Sequence, residues 1–250
     1  MRIFVLNLNR HRLIYTMVSI ALVVTIMISA TVGIVIGTGD GLQIQAADSL
    51  PYEKMVIIDA GHGGEDSGAI GVNGILEKDV NLELALQVGK MLEEKGYLVV
   101  YTRTDDRLLY KEDENIYGIR KISDLKNRCK IAERYPGALF VSLHANSFAS
   151  EKYSGLQVYY TEGNDDSYAL ATSVQQRVIN DVQKDNTRTV KSGKSIYILE
   201  NVSNTAILIE CGFLTNKEEC EKLSQKEYKK ELSFSIVCGI IEYIEKKTSN

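Results

Sequence analysis

Two histidines in this chain each follow a run of apolar residues, and neutral imidazole is a common metal ligand and proton carrier. His62 comes after the run Met55–Asp59 in a glycine-rich turn, and His144 closes the run that begins at Ala138. Each run predicts a buried β-strand with a histidine at its carboxyl end. Ligands bind at that edge of open α/β sheets. The pair therefore indicates a zinc site, which in catalytic form has three protein ligands and one open position.

Two glutamates are candidates to complete this site. Glu210 ends the apolar run Ala206–Ile209, where a carboxylate is a poor choice for a core strand unless the strand end needs it. Glu77 lies just before the first predicted helix, on the loop that starts at His62. The chain has no short HExxH spacing, so local spacing alone is a weak indication of a metal site. Other interpretations stay open: a hydrogen-bonding loop histidine, a helix N-terminal glutamate or a glutamate paired with arginine.

Strands and helices alternate along most of the chain, and this order predicts the fold that must position the four groups. The predicted strands are Met55–Asp59, Tyr97–Tyr101, Ala138–Leu143, Leu156–Tyr160, Ser195–Leu199 and Ala206–Ile209. The predicted helices are Asp79–Lys95, Ser123–Arg134, Ser167–Gln183 and Gln225–Lys246. Such alternation is typical of an α/β fold with a mainly parallel sheet flanked by helices on both faces.

The chain begins with a segment that differs from the rest in composition. No residue from Leu13 to Gly37 is charged, and roughly 20 apolar residues suffice to cross a bilayer. Arginines precede the segment and acidic residues follow it, so the positive-inside rule places the remainder outside the cytoplasm. A long cleaved signal peptide is the alternative. We therefore predict a cytoplasmic region over 1–12, a transmembrane signal anchor over 13–37, a tether over 38–54 and a single catalytic domain over 55–250.

Charge and cysteine content exclude two other classes of site. The formal net charge of −4 gives no support for nucleic-acid binding, which usually needs a basic face. The four cysteines form no CxxC pair, so a thiolate zinc site is not predicted. We expect them to be small buried apolar side chains. They are Cys129, Cys211, Cys220 and Cys238.

Four blocks of the sequence resemble the zinc-dependent N-acetylmuramoyl-L-alanine amidases of the Amidase_3 type. The blocks are IIDAGHGGEDSGAIG, LEKDVNLELAL, VSLHAN and AILIECGFLTN, in the order that the family has them. The resemblance implies that His62, Glu77 and His144 bind one Zn²⁺ ion per chain. It also implies that Glu210 is the catalytic glutamate, and it makes the ligand interpretation of Glu77 the preferred one.

Two further stretches are similar in particular to the germination-specific, spore-cortex members of that family. They are RKISDLKNRCKIAE and NTRTVKSGKSIYILENVSNTAILIECGFLTN. The likeness implies hydrolysis of the amide between the lactyl group of N-acetylmuramic acid and L-alanine, in peptidoglycan glycan strands with stem peptides. In those members a partner deacetylase then completes muramic-δ-lactam. A general vegetative cell-wall amidase or another exported zinc peptidoglycan hydrolase is the alternative, and a non-enzymatic wall-binding module is less favoured.

Location and supporting residues follow from the same interpretation. We expect an exported chain anchored on the outer side of the cytoplasmic membrane or in the forespore intermembrane space or cortex, and a secreted one if the segment is cleaved. An activator protein is a further expected partner. Asn146 is a candidate substrate-binding residue, and Asp59 and Asp66 are candidates to orient the first histidine. Arg120 and Arg128 are expected on a solvated helix surface or against a peptide carboxylate.

Overall fold

The computed structural model describes residues 54–110 and 120–249, which belong to one compact unit. The predicted signal anchor, the N-terminal region and nearly all of the tether lie outside these residues. Within residues 54–110 and 120–249, no helix is both long and apolar enough to cross a membrane.

Six strands of the described chain form one sheet. They are β1 (Met55–Ala60), β2 (Leu98–Tyr101), β3 (Leu139–Asn146), β4 (Gln157–Tyr160), β5 (Lys191–Ser192) and β6 (Ala206–Phe213). Their spatial order is β2-β1-β3-β6-β4-β5. Neighbouring strands run parallel, except β4, which is antiparallel to β6. The sheet is therefore mixed, with the three apolar strands β1, β3 and β6 side by side at its centre.

Helices cover both faces of this sheet, as the alternation predicts. They are α1 (Glu77–Glu94), α2 (Arg120–Glu133), α3 (Asp165–Asp181), α4 (Tyr197–Asn201), α5 (Lys217–Ser224) and α6 (Lys226–Thr248). One apolar cluster joins α1, α3, α5 and α6 to alternate residues of the central strands. A second cluster joins α2 and α4 to the opposite face, where Ile57 and Phe140 are fully buried. The central strands are therefore fixed between two apolar layers, which makes their carboxyl ends a rigid edge.

One predicted strand is wrong. The segment Ser195–Leu199 is a turn that leads into helix α4 at Tyr197, and the short strand β5 lies a few residues earlier. A short apolar run does not distinguish a strand from a buried helix turn. Here Ser195 has a left-handed φ of 76°, and its backbone N–H donates to Glu200 Oε1 at 2.8 Å. This turn separates β5 from α4, which begins at Tyr197.

Helix α5 was not among the predicted elements, although its start has a recognisable sequence pattern. Asn216 is the N-cap residue, and its Oδ1 accepts a hydrogen bond from the backbone N–H of Glu219 at 3.1 Å. An asparagine followed three residues later by glutamate is a frequent helix start. Helix α5 carries Cys220 and Leu223 into the core beside β6.

Candidate metal centre

The three central strands bring the predicted site residues to one edge of the sheet. His62 lies two residues after the end of β1, and His144 lies near the end of β3. Glu210 of β6 is the register partner of His144. Because β1, β3 and β6 are parallel neighbours, their carboxyl ends meet at the same edge.

A glutamate carboxylate lies between the two imidazoles. Glu77 Oε1 is 3.1 Å from His62 Nε2 and 3.0 Å from His144 Nδ1. The two imidazole rings meet edge to face, with their centroids 5.0 Å apart. One ligand-type atom from each of these three residues lies within 4.8 Å of the others. The three side chains therefore form a group that could hold a metal ion.

Glu77 owes its position to the first turn of α1, which begins two residues before the predicted start of that helix. Its Oε2 accepts a hydrogen bond from Ala69 N at 2.8 Å, and its Oε1 accepts one from Ala145 N at 3.3 Å. Burial acts to raise the pKa of this carboxyl. The hydrogen bonds with His144 and His62 act to lower it and outweigh burial, so the net pKa of Glu77 is below its usual value. The carboxylate is therefore in the charged form that a metal ligand requires.

His62 is held in a backbone conformation that non-glycine residues rarely adopt. Its φ is 60°, in the left-handed region, where L-residues are sterically disfavoured. Its Nδ1 lies 2.9 Å from Asp66 Oδ2, so Asp66 occupies the ring nitrogen that faces away from Glu77. Burial lowers the pKa of His62, but the hydrogen bonds to Asp66 and Glu77 outweigh it and raise the pKa to about 9.

Two glycines allow the histidines to approach so closely. A Cβ at Gly61 would lie 2.2 Å from the imidazole of His144. A Cβ at Gly68 would lie 2.5 Å from Glu77 Oε2 and 2.8 Å from His62 Cδ2. The glycines of the first sequence block therefore make room for the metal-ligand group.

Glu210 differs from Glu77, the acidic member of the metal-ligand group, in having few contacts. The side chain is half-buried, and its Oε2 atom is enclosed without a hydrogen-bond partner among the described residues. Burial raises the pKa of Glu210 to about 7, with His144 acting to lower it and Glu77 acting to raise it. A carboxyl with a pKa near neutrality is suited to accept and release a proton at physiological pH.

Asp59 does not contact either imidazole ring, in contrast to the orienting role considered for it. Its Oδ1 accepts hydrogen bonds from Thr102 Oγ1 at 2.7 Å and Arg128 Nη1 at 2.6 Å, and its Oδ2 accepts one from Ser142 Oγ at 2.6 Å. Asp59 is fully buried. Its hydrogen bonds therefore fix the end of β1, next to the turn that carries His62.

Arg128 is not at the helix surface, and it does not face a position for substrate. It is 1% exposed, and it donates to Asp59 and to the carbonyl oxygens of Ala60 and His62. Sequence reasoning missed it because charged helix residues are mostly solvated. Its partner Asp124, four residues earlier, was the available signal. Arg120, the first residue of α2, has 40% of its side chain exposed and pairs with Glu65 of the glycine-rich loop.

Asn146 lies past a register shift at the end of β3. Its side chain is half-buried, and its Oδ1 accepts a hydrogen bond from Ser147 N at 2.7 Å. Asn146 is not part of the metal-ligand group. Phe148 continues this rim with 54% of its surface exposed and stacks edge to face on Tyr153. This end of β3 therefore offers polar and aromatic side chains next to the group.

Comparisons with known proteins agree with this arrangement. Residues 56–242 match the family model Amidase_3, described as N-acetylmuramoyl-L-alanine amidase. The germination-specific N-acetylmuramoyl-L-alanine amidase of Bacillus subtilis is 37% identical over 200 residues, which is 80% of this chain and 84% of that protein. The CwlD amidase from Clostridioides difficile, solved in complex with the GerS lipoprotein, is 38% identical with a TM-score of 0.74, over 77% of this chain and 98% of that one. AmiC2 of Nostoc punctiforme is 35% identical with a TM-score of 0.66, over 77% and 98% of the two chains.

A mixed α/β sheet with a His–Glu–His group at its carboxyl edge is an arrangement suited to metal-assisted hydrolysis. The family match covers most of the chain, and the chain belongs to the Amidase_3 family of N-acetylmuramoyl-L-alanine amidases. It is an enzyme that acts on peptidoglycan. The resemblance carried by the four sequence blocks is thus confirmed.

Proposed function

We propose that His62, Glu77 and His144 hold one zinc ion and that Glu210 moves the protons during hydrolysis of the muramoyl–L-alanine amide. The observation that carries this proposal is the three ligand-type atoms within 4.8 Å of one another, with Glu210 in register beside His144. Two histidines and one carboxylate are an established ligand set of catalytic zinc sites, which keep a further position open.

The surroundings of His62 and Glu77 fit zinc as well. A zinc-bound histidine usually has its second ring nitrogen on a carboxylate or carbonyl, and Asp66 provides this contact for His62 at 2.9 Å. The carboxylate of Glu77 is in its charged form. Zinc bound there would supply a Lewis acid for the amide carbonyl and would lower the pKa of a coordinated water.

Glu210 has the properties of the general base and acid. Its Oε2 has no hydrogen-bond partner among the described residues, so the carboxylate has acceptor capacity for the proton of the attacking water, and a pKa of about 7 allows it to release that proton again. The proton then passes to the nitrogen of L-alanine as the carbon–nitrogen bond breaks. This transfer matters because an alkylamine leaves readily only after its nitrogen is protonated.

Asn146 is our candidate for substrate binding. It lies at the end of β3, two residues after His144, with its side chain partly accessible. A side-chain amide offers both hydrogen-bond donors and an acceptor, which match the peptide groups of a stem peptide. We assign it to orientation of the substrate next to the metal-ligand group.

Spore-cortex peptidoglycan is the substrate that we favour. The support is the 37% identity to a germination-specific amidase over most of both chains. A partner deacetylase would then complete muramic-δ-lactam. If this role is right, spores that lack the protein will contain no muramic-δ-lactam, as measured in digested spore peptidoglycan. Normal lactam content, with altered vegetative walls, would instead indicate a general cell-wall amidase.

Two further features of the proposal concern location and partners. We propose that Leu13–Gly37 anchors the chain outside the cytoplasm, and a membrane fraction with the full-length chain would support this, whereas only a shortened soluble form would indicate a cleaved signal. We also propose an activator protein, because a similar amidase was solved in complex with a lipoprotein. Faster L-alanine release on addition of the cognate lipoprotein to the purified chain would support the activator, and an unchanged rate would contradict it.

The metal site can be tested by zinc content and activity together. We expect the chain to bind one zinc ion and to release new N-terminal L-alanine from purified peptidoglycan only when zinc is present. Glu77→Gln should lose the metal and the activity, whereas Glu94→Gln, an exposed carboxylate on the same helix, should keep both. Zinc retained by Glu77→Gln would contradict the ligand set, and mass analysis of the digest would reveal a different scissile bond.

A further inference from the structure

Arg103 is a buried arginine whose hydrogen bonds all go to backbone carbonyl oxygens. It is 2% exposed. Its Nε donates to Ala60 O at 2.9 Å, and its Nη2 donates to Gly61 O at 3.0 Å and Lys78 O at 2.8 Å. Its Nη1 donates to Asp105 O at 3.0 Å. One guanidinium therefore connects the end of β1, the first turn of α1 and its own loop.

The ion pairs of the described residues do not account for this burial. Arg128, which is equally buried, pairs with the carboxylates of Asp59 and Asp124 at 2.6 and 2.7 Å. Within the part of the chain that the structure describes, Arg103 has no carboxylate within ion-pair distance. Burial of a charge without a paired counter-charge is unfavourable. The position of Arg103 thus calls for a role other than a salt bridge.

The carbonyl groups that Arg103 contacts lie next to two of the three members of the metal-ligand group. Gly61 directly precedes His62, and Lys78 directly follows Glu77. Arg103 Nη2 donates to both carbonyls, so a single nitrogen spans the two ligand segments. Asn81 Nδ2 also donates to Gly61 O, at 3.2 Å, and Lys78 Nζ donates to Gly64 O at 2.7 Å. Among these contacts, Arg103 is the one whose single nitrogen donates to a carbonyl next to each of the two ligands.

We propose that Arg103 is a positioning residue that holds His62 and Glu77 at the spacing a zinc ion requires. This inference rests on the metal site of the proposed function, and it concerns how that site is prepared before the metal binds. Arg103 touches neither substrate nor metal in this role. Its planar guanidinium has five N–H donors in a fixed fork, which allows one side chain to bridge three segments.

Lysine cannot reproduce this arrangement. The lysine side chain ends one bond before the position of Nη2, so its ammonium falls short of the place from which Nη2 donates to Gly61 O and Lys78 O. It also has three N–H donors for the four carbonyl groups that the guanidinium contacts. Arg103→Lys therefore keeps the charge and disrupts the bridge. Contacts that orient metal ligands typically contribute about 10–100-fold to metal affinity, and we expect a loss of zinc affinity in this range.

The experiment compares zinc affinity in the full chain, Arg103→Lys and Asn204→Ala, by competition with a chromophoric zinc chelator. Asn204 is a matched control: it is 3% exposed and donates to the carbonyls of Tyr135 and Ala138, which lie before β3 at the opposite edge of the sheet. We expect both variants to lower the thermal midpoint of the metal-free protein. Only Arg103→Lys should lower the zinc affinity, by about 10–100-fold.

Zinc affinity of Arg103→Lys within about threefold of the parent, with a thermal midpoint as low as that of Asn204→Ala, would overturn the proposal and leave Arg103 a purely structural role. A parent chain that binds zinc but releases no L-alanine would contradict the proposed function, while the affinity comparison would still decide the role of Arg103.

A second measurement covers the case in which Arg103→Lys does not fold. Hydrogen–deuterium exchange of residues 61–68 in the parent, with and without zinc, reports whether the turn is already ordered. If Arg103 prepares the site, the backbone N–H groups of Gly61 and Gly63, which donate to Leu143 O and Asp66 O at 3.0 Å, will exchange slowly in both states. Rapid exchange of this segment without zinc would show that the metal orders the turn and would overturn the proposal.

Discussion

The buried carboxylates on the two sides of the metal-ligand group differ in their hydrogen bonding and in the direction of their pKa shifts. On the β1 side, Asp59 is fully buried and accepts three hydrogen bonds, including one from Arg128. On the β6 side, Glu210 has an enclosed oxygen without a partner among the described residues. Burial acts to raise the pKa of both. The net pKa of Asp59 is nevertheless lowered by Arg128, Ser142 and Thr102, whereas that of Glu210 is raised to about 7.

This difference separates the residues that hold the site from the residue that we propose to react. A buried carboxylate with hydrogen bonds to both oxygens, such as Asp59, keeps its charge and its position, and it is not available to a substrate proton. A buried carboxyl without hydrogen-bond partners, such as Glu210, has a raised pKa and so changes protonation near neutral pH. The hydrogen-bonded carboxylate on the β1 side therefore fixes the position of the backbone that carries His62. The carboxyl on the β6 side is available for proton transfer, and its burial without a partner lowers stability.

The largest effect on this comparison should come from removal of the charge on the β1 side. Asp59→Asn leaves Arg128 with one carboxylate in place of two, and loss of one member of a buried ion pair costs about 3–5 kcal/mol. We expect the free energy of unfolding of the metal-free chain to fall by about this amount, measured in urea at pH 7. Glu218→Gln, an exposed carboxylate, is the control and should change it by less than about 1 kcal/mol.

The same variant makes a prediction about pH. Folding lowers the pKa of Asp59, so its contribution to stability is complete above the unfolded pKa of about 3.9 and is lost as the pH falls through the lower folded pKa. The stability difference between the parent and Asp59→Asn should therefore shrink in acid. A difference that is constant down to pH 2 would contradict the assigned pKa direction.

Gly61→Ala should disturb the contact between the turn after β1 and the imidazole of His144 on β3. The new Cβ would meet the imidazole of His144 at 2.2 Å, and overpacking of this kind typically costs about 1–3 kcal/mol. Because the ring must shift from the position in which its Nδ1 contacts Glu77 Oε1, we expect zinc affinity to fall as well. Gly96→Ala, with a left-handed φ of 84° and nothing near the Cβ position, is the control. It should lower stability and leave zinc affinity unchanged, and equal affinities in both variants would contradict the account.

Glu210→Gln should act in the opposite direction from Asp59→Asn. Since folding raises the pKa of Glu210 to about 7, stability is lost as the pH rises from the unfolded pKa through that value. A neutral glutamine avoids this loss, so the metal-free variant should be more stable than the parent by about 1–3 kcal/mol at pH 8. Urea unfolding at pH 4 is the internal control, where the two should agree. A less stable variant at pH 8 would contradict the unpartnered state of this carboxyl.

The smallest effect is expected for Asn146→Ala, which tests whether Asn146, at the end of β3, contacts the substrate. Loss of one neutral hydrogen bond is worth about 0.5–1.5 kcal/mol. We expect KM for peptidoglycan fragments to rise by about 2–10-fold, with little change in kcat. The exposed-helix variant Asn201→Ala is the control. An unchanged KM for Asn146→Ala would remove this residue from the substrate-binding set.

The sequence predicted the sheet edge well because its signals are local. Apolar runs that end at His144 and Glu210 identify buried strands, and parallel strands place their carboxyl ends together. Glu77 was harder to assign from the residues alone, because a glutamate in the first turn of a helix has an ordinary electrostatic explanation. Only its contacts with both imidazoles distinguish the two roles.

Other features depend on tertiary contacts that no local pattern contains. Arg103 follows β2 in a polar loop, and its burial against the β1 turn cannot be read from its neighbours in sequence. Ser195–Leu199 has the composition of a short strand, yet the left-handed residue at its start leads into a helix. The burial of Arg103 is decided by packing against a distant segment, whereas the turn at Ser195 is held by a hydrogen bond to Glu200 Oε1 that a pattern of apolar residues does not reveal.

The central claim is that Glu210 carries the protons while His62, Glu77 and His144 hold the metal. It is tested most directly by release of new N-terminal L-alanine from purified peptidoglycan by the zinc-loaded chain and by zinc-loaded Glu210→Gln, with zinc content measured in the same samples. We predict equal zinc in both and a rate about 10²–10⁴-fold lower in the variant. A variant with full zinc and a rate within about threefold of the parent would contradict the role of Glu210.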